Sequence, residues 1–259
     1  MVNTMEEMRL PYGLAPFPGN KTLSINQEFL MSGSAPLPVQ PIKLYRFFLS
    51  GHSHRIELFL SLLKLPYEPV EIDLVAKAHK QPEFLALNPF GQVPVIQDGD
   101  ITLADSNAIL VYLASNYDSG AQWLPREPIM AASVQRWLSV AAGPLAFGPA
   151  AARRLKLFVT SAKAEEEIAR AKNLFDVMEN HLKNSLFLVG DIPTIADIAN
   201  YTYTAYAPEG DISLDPYPVL RGWLQRIESM PGFVPMVKSP LGLACHFSVL
   251  KSHLFSTKE

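Results

Sequence analysis

The stretch Asn88-Pro89-Phe90-Gly91-Gln92-Val93-Pro94-Val95, followed shortly by Leu103-Ala104-Asp105-Ser106, decides how the rest of the chain is interpreted. We predict strands over Val93 to Gln97 and Asp100 to Leu103. The dipeptide Asp98-Gly99 between them is typical of a hairpin turn, because both positions tolerate positive φ. Pro94 cannot donate to a strand ladder, so its place predicts a special backbone geometry, such as a cis peptide with the Val93 main chain facing outward.

A helix is predicted to begin at Asp105-Ser106, because Ile109, Leu110 and Leu113 follow at helical spacing. A carboxylate, a hydroxyl and the free N–H groups of a helix start therefore meet at one point. The alternative is a hairpin followed by a simple helix cap. The coincidence of turn, proline and cap favours a shelf that binds a ligand.

Composition limits the function classes. The chain has 259 residues, of which 48% are hydrophobic and 18% charged, with a formal net charge of −3. This charge gives no reason to expect nucleic acid or anionic membranes as partners. The single cysteine, Cys245, excludes an internal disulfide and a multi-cysteine metal site. No apolar run approaches the ~20 residues that span a bilayer, and no signal-peptide pattern is present, so the cytosol is the predicted location.

Upstream of the hairpin, the pattern predicts a strand over Ile42 to Phe48, a helix with apolar spacing from Ile56 to Leu63, a strand over Val70 to Leu74 and a short helix from Pro82 to Leu87. A helix crossover makes the first two strands parallel, and the hairpin adds antiparallel pairing. Together these elements predict a small mixed sheet covered by helices.

Downstream of Gly120 and Pro125 the sequence predicts helices only, with apolar stripes that indicate bundle core. Thr194 and Asp197 form a predicted capping box, interpreted as a folding signal. The predicted organisation is a weakly ordered, dispensable extension over 1–40, an α/β domain over 41–118, a linker over 119–127, a helical domain over 128–240 and a tail over 241–259.

From about Ile42 to Met236 the chain resembles the cytosolic-type glutathione transferases. The resemblance implies a thioredoxin-like N-terminal domain with a mixed four-stranded sheet, an all-α helical-bundle C-terminal domain, a homodimer, and glutathione as co-substrate with no metal. The motifs that carry it are Asn88–Pro94, similar to the cis-proline segment; Leu103–Ile109, similar to the γ-glutamyl-binding segment; His79–Phe84, similar to a phi-type motif; the cap Thr194–Asp197; and Pro216-Tyr217-Pro218 with Trp223 and Pro231.

Glutathione carries two carboxylates, an ammonium and a thiol, and the resemblance assigns residues to each. Asp105 would pair with the ammonium, and Ser106 and Gln92 would hold the adjacent carboxylate. Val93 before Pro94 would run antiparallel to the cysteinyl unit. Lys80 and His79 would meet the far carboxylate. The alternatives are a solvated surface residue for Lys80 and His79 and plain capping for Asp105 and Ser106.

The thiol has an unperturbed pKa of about 8.5, so a hydrogen-bond donor at a helix start would favour its thiolate. By resemblance to serine-type members, Ser50 is that donor, and His52 lies where some nu-type members present a second contact. We expect Ser53 and His54 to be capping and surface residues and Arg55 to be structural. The turn Ser50-Gly51-His52-Ser53 has no cysteine, which excludes a catalytic disulfide of its own.

The expected activity is addition of glutathione to a small electrophile held against the helical domain. Trp137, Phe147, Arg153, Tyr203 and Tyr206 are candidates for that second pocket or for core. The alternatives are glutathione-dependent disulfide or peroxide reduction, isomerisation, and a non-catalytic binding or assembly module.

Overall fold

The computed structural model describes residues 37–159 and 163–239. The expectations for most of the extension and for the tail therefore lie outside the described residues. The elements of the N-terminal domain are β1 (Ile42–Arg46), α1 (Gly51–Leu62), β2 (Tyr67–Glu71), a 3-10 turn (Ala78–Lys80), α2 (Pro82–Leu85), β3 (Val95–Asp98), β4 (Ile101–Ala104) and α3 (Ser106–Tyr117).

The four strands form one mixed sheet in the order β2-β1-β3-β4. β1 runs parallel to β2, with Ile42 opposite Tyr67, and antiparallel to β3, with Leu44 opposite Ile96. β3 and β4 form the antiparallel hairpin. The thioredoxin-like sheet predicted from the sequence is thus confirmed.

All four predicted strands had boundaries that were wrong by one to three residues, although the start of β1 at Ile42 was right. The second strand is Tyr67–Glu71, because its register follows β1 and the chain then turns at Asp73, whose carboxylate accepts from the Ala76 N–H at 2.8 Å. The hairpin turn contains Gly99 and Asp100, since Asp98 still pairs with Ile101. Gly99 has φ of +57°, which glycine adopts without a steric penalty.

Within the described residues of the C-terminal domain, the regular elements are helical, and Phe187 and Gly190 form one isolated β-bridge. The helical elements are α4 (Pro128–Ala142), a π-helical turn (Ala146–Ala150), α5 (Ala151–Phe158), α6 (Glu165–Leu182), α7 (Ile195–Ala205), a 3-10 turn (Ala207–Gly210) and α8 (Pro218–Glu228). The predicted stripes form its core: Trp137, Phe175 and Trp223 are buried. That core is continuous with Phe59 and Leu110 of the N-terminal domain. The helical-bundle prediction is confirmed.

The predicted capping box begins α7. The Thr194 hydroxyl accepts from the Ala196 N–H at 3.2 Å, and the Asp197 carboxylate accepts from the Thr194 N–H at 2.8 Å. Asp197 also accepts from the Leu188 N–H at 2.8 Å and from Trp223 Nε1 at 2.9 Å. The box therefore ties the start of α7 to a loop and to α8. Among the helices described, none is long and apolar enough to cross a membrane.

Candidate active site

Ser50 is the N-cap of α1. Its hydroxyl oxygen accepts from the Ser53 N–H at 3.2 Å, which leaves the hydroxyl proton available for another acceptor. Ser50 also lines a cavity of about 650 Å³ between the two domains. A hydroxyl donor therefore lies at the positive end of a helix and on the wall of a ligand-sized space.

His52 connects α1 to the start of α3. Its Nδ1 lies 3.1 Å from the Ser106 hydroxyl oxygen, which also accepts from Arg55 Nη1 at 2.7 Å. Burial, aided by the nearby Arg55 charge, lowers the pKa of His52 to about 3. The ring is therefore neutral at neutral pH, whichever nitrogen carries its proton, and it can donate one N–H.

Asp105 is the N-cap of α3 in a left-handed conformation, with φ of 72°. Its Oδ1 accepts from the Asn107 and Ala108 N–H groups, both at 2.9 Å. The Asp105 side chain is exposed, whereas Ser106 beside it is buried. The second carboxylate oxygen of Asp105 is therefore open to a ligand from the solvent side.

The peptide between Val93 and Pro94 is cis, as expected. Within residues 37–159 and 163–239, Val93 makes no main-chain hydrogen bond. The preceding loop is held by Asn88, whose side-chain amide donates to the Gln92 carbonyl at 2.8 Å and accepts from the Phe90 N–H at 3.1 Å. Gln92 itself is exposed.

Lys80 has partners that the sequence did not reveal. Its ammonium donates to the carbonyl oxygens of Phe90 at 3.1 Å and Gly91 at 2.9 Å. Lys80 therefore stabilises the loop that leads to Pro94, which we call the proline loop. His79 lines the cavity, and its buried Nδ1 has no partner among the described residues. Burial and the charges of Lys80 and Lys77 lower the pKa of His79.

The other wall of the cavity comes from the helical domain. Its residues belong to the π-helical turn, α5 and α7, and they are Ala146, Phe147, Ala150, Ala151, Arg153, Arg154, Phe158 and Tyr203. The Tyr203 ring packs edge-on against His52 at 5.1 Å between centroids. Gly51 permits this approach, because a Cβ there would lie 2.6 Å from the Tyr203 ring.

Several candidates thus come together and others do not. Ser50, His52 and His79 line the cavity, Ser106 joins them through His52, and Lys80, Gln92, Val93, Pro94 and Asp105 are not part of its wall. Of the residues proposed for the second pocket, Phe147, Arg153 and Tyr203 line it, whereas Trp137 is buried in the core and Tyr206 is not part of the wall.

Two expectations on α1 were wrong or incomplete. His54 is not a surface residue: it is 3% exposed, and it lies 3.0 Å from the Thr202 hydroxyl and 2.8 Å from the Val234 carbonyl. Arg55, 1% exposed, also donates to Asn107 Oδ1 at 2.8 Å. An arginine among the apolar residues of a helix was the one available signal that a buried polar partner had to exist.

Family models locate both domains. The model of the glutathione S-transferase N-terminal domain matches residues 40–115, and that of the glutathione S-transferase C-terminal domain matches residues 141–231. The chain belongs to the glutathione S-transferase family. Among family members, glutathione S-transferase 3 of Zea mays is 36% identical over 204 residues, covering 74% of this chain and 91% of that protein. A glutathione S-transferase of Hyoscyamus muticus is 31% identical over 202 residues, covering 74% and 95%.

Solved structures of the family agree with this fold. The crystal structure of a glutathione S-transferase from Pseudomonas fluorescens superposes with a TM-score of 0.72 at 36% identity, covering 77% of this chain and 100% of that one. A glutathione transferase homologue from Drosophila mojavensis, solved with bound glutathione, has a TM-score of 0.67 at 28% identity, covering 74% and 89%.

Proposed function

We propose that this protein binds glutathione along the N-terminal domain, stabilises its thiolate and adds it to a small electrophile in the cavity. The observation that carries the proposal is that the α1 start lies on the cavity wall and is joined there to the α3 start. Ser50 caps α1 on the cavity wall, and His52 bridges from that wall to Ser106 at the start of α3.

The α3 start is suited to the γ-glutamyl end of glutathione. The free oxygen of Asp105 would pair with the ammonium, because its other oxygen is occupied by two N–H groups. The Ser106 N–H has no acceptor in the described part of the chain, so it is available for the neighbouring carboxylate. The exposed amide of Gln92 would add a donor to the same group.

The middle and far end of glutathione would follow the proline loop. The Val93 main chain would pair with the cysteinyl unit as an added strand does. His79 is the stronger candidate for the glycine carboxylate, because its buried Nδ1 is unpartnered, while Lys80 already donates to two carbonyl groups. One N–H of the Lys80 ammonium remains for a second contact.

The cysteinyl thiol would then face Ser50 and His52. A thiolate is stabilised by donors and by the dipole at a helix N-terminus. Neutral His52 donates one N–H and neutral Ser50 donates its hydroxyl proton, so neither acts as a nucleophile. The thiol proton leaves to solvent, the sulfur forms the new bond to the electrophile, and the electron pair of the broken bond departs with the leaving group.

The test is an ultraviolet titration of bound glutathione in wild type, Ser50→Ala and His52→Ala. We expect a thiol pKa below about 8.5 in wild type and a higher value in Ser50→Ala, with nearly unchanged glutathione affinity. Ser61→Ala is the matched control, because this serine lies on the same helix and donates to the Gly232 carbonyl away from the cavity.

Three outcomes separate the possibilities. If only His52→Ala raises the pKa, His52 is the thiolate donor and Ser50 is a cap. If all variants titrate like free glutathione, thiol activation is absent and the protein is a non-catalytic binding module. Loss of turnover at neutral pH with recovery at alkaline pH in Ser50→Ala would support the proposal.

We also propose a cytosolic homodimer. Phe90 and Ile101 are large apolar side chains, 70% and 45% exposed, near the sheet edge and the proline loop. These side chains are available to an isologous contact between two copies. Light scattering should give twice the chain mass of 28.7 kDa, and a single-chain mass at micromolar concentration would contradict the dimer.

A further inference from the structure

The helical wall of the cavity carries arginine on its cavity-facing side. Phe147, Ala151, Arg154 and Phe158 all line the cavity and follow one another at spacings of four, three and four residues. Residues at these spacings share one face of a helix. Arg154 therefore belongs to the face that looks onto the acceptor space, although its side chain is exposed.

The two adjacent arginines differ in their partners. Arg153 is 3% exposed, its Nε donates to the Glu209 carboxylate at 2.6 Å, and its Nη1 donates to the Leu49 carbonyl at 2.9 Å. Arg154 has neither an ion pair nor a hydrogen bond to any residue in the described ranges. Glu209 balances the charge of Arg153, whereas no residue in the described part of the chain balances that of Arg154.

The described residues of the wall leave this positive charge unopposed. None of those that line the cavity is an aspartate or glutamate. Across from α5, His79 is next to Lys80 and Lys77, whose charges help to lower its pKa. The remaining wall is mainly apolar and aromatic, with Phe47, Phe147 and Phe158. The space therefore combines an apolar interior with a guanidinium that has no anionic partner among the residues described.

We propose that the preferred acceptor substrate is an aromatic electrophile that bears a carboxylate, and that Arg154 binds this carboxylate. The inference rests on the proposed transferase function and specifies its substrate class. A cavity of about 650 Å³ holds a single substituted ring with room for the cysteinyl sulfur. The planar guanidinium fork matches a carboxylate with two parallel N–H donors.

The probe pair is 4-chloro-3,5-dinitrobenzoate and its methyl ester. In both, the glutathione thiolate forms a carbon–sulfur bond at the carbon that carries chlorine, and chloride leaves with the bonding electron pair. The thiol proton has already passed to solvent. The carboxylate takes no part in the chemistry. Acid and ester differ in ring reactivity, but that difference is the same for every variant. If a substitution lowers kcat/KM for the acid more than for the ester, it has weakened binding of the carboxylate.

The experiment measures kcat/KM for both probes in wild type, Arg154→Gln and Lys156→Gln. Lys156 is the matched control, because it is a neighbouring cation on α5 that pairs with Asp211 and is not part of the cavity wall. In Arg154→Gln we expect a loss of about 2- to 5-fold for the acid, on the scale of an exposed charge pair. The ester, and KM for glutathione, should stay unchanged, as should all values in Lys156→Gln.

Two results would overturn the proposal. If kcat/KM falls equally for the acid and the ester in Arg154→Gln, the arginine contributes to the shape of the cavity and does not bind the carboxylate. A raised KM for glutathione with both probes would mean that Arg154 serves the glycine carboxylate of glutathione.

Equilibrium binding separates this proposal from the transferase function itself. This comparison needs no turnover, because titration with 3,5-dinitrobenzoate and its methyl ester tests Arg154 by binding alone, whereas the thiol titration described above tests the transferase function. Tighter binding of the acid than of the ester in wild type, lost in Arg154→Gln and at high salt, supports the carboxylate site. Equal binding of the two by wild type refutes it.

Discussion

Helices α3 and α7 each have, at the N-cap or in the first turn, a carboxylate that accepts main-chain N–H groups. The two carboxylates differ in exposure and in how many of their oxygens accept hydrogen bonds. Asp105 at α3 is exposed, has φ of 72° and uses one oxygen. Asp197 at α7 is fully buried, and both of its oxygens accept hydrogen bonds. Asp105 has an oxygen without a hydrogen bond among the described residues, so it is the candidate for ligand binding. Asp197 has both oxygens occupied, so we assign it a structural role.

The α1 helix touches both regions. His52 lies against Ser106 at the α3 start, and His54 two residues later lies against Thr202 on α7. Residues two apart on a helix point in different directions, so one helix serves the site with one side and the domain contact with another. Four predictions test whether the α3 start serves ligand binding and the α7 start serves stability.

The largest effect is expected at Asp197. Asp197→Ala removes the acceptor of the Leu188 and Thr194 N–H groups and of Trp223 Nε1, all buried. We expect the free energy of unfolding to fall by about 3–5 kcal/mol, measured by denaturant titration. Asp191→Ala, an exposed aspartate in the same loop, is the control and should change little. If Asp197→Ala lowers the free energy of unfolding no more than Asp191→Ala does, Asp197 has no special structural role.

Asp105→Ala should weaken glutathione binding about 10- to 150-fold, because it removes one partner of a charged hydrogen bond. Stability should fall by only about 1 kcal/mol, the typical value of an N-cap. Calorimetry with glutathione measures the first and thermal unfolding the second. Asp100→Ala, an exposed aspartate of the hairpin turn, serves as control. Unchanged affinity would show that Asp105 is a cap and no more.

Acid should destabilise the protein through the buried histidines. Burial lowers the pKa of His54, so the unfolded chain takes up a proton near pH 6.5 that the folded His54 does not. Stability should therefore fall as pH drops below about 6.5, by up to about 1.4 kcal/mol per pH unit for each such histidine. His54→Gln should flatten this slope between pH 7.5 and 5. Parallel slopes in both proteins would contradict the assignment.

The smallest expected change is the stability of Asp105→Asn. Asparagine caps a helix as well as aspartate and tolerates positive φ, so the unfolding free energy should change by only a few tenths of a kcal/mol. Glutathione affinity should nonetheless fall nearly as far as in Asp105→Ala, because the ammonium loses its charged partner. If Asp105→Asn keeps its glutathione affinity, the negative charge of Asp105 is not needed for binding, and the position of its oxygen atoms is sufficient.

Local signals made much of the fold predictable. The capping box at Thr194, the hairpin around Gly99 and the helix start at Asp105 depend on neighbours within a few residues, and each was found. The ends of β1 and β2 were misplaced because pairing across the sheet fixes them. The π-helical turn Ala146–Ala150 was missed because its close packing of Gly148 against Ala171 is a tertiary contact.

The residues of the candidate site could be proposed from the sequence, but the contacts between them could not. Ser50, His52 and Asp105 could be proposed from their places at helix starts. The bonds from Arg55 to Ser106 and from Arg153 to Glu209 join residues 51 and 56 positions apart, and no local pattern predicts such pairs. The assignment of Lys80 to a substrate carboxylate stays a prediction, and its contact with the Phe90 carbonyl, ten residues along the chain, was not predicted.

Gly51 restricts how the acceptor pocket could be redesigned. A methyl group at this position would lie 2.6 Å from Tyr203, so any side chain there would force the ring out of its place beside His52. Ala146, Ala150 and Ala151 contribute only methyl groups to the opposite wall. A library that aims to change the accepted electrophile should therefore randomise these three alanines and keep the glycine.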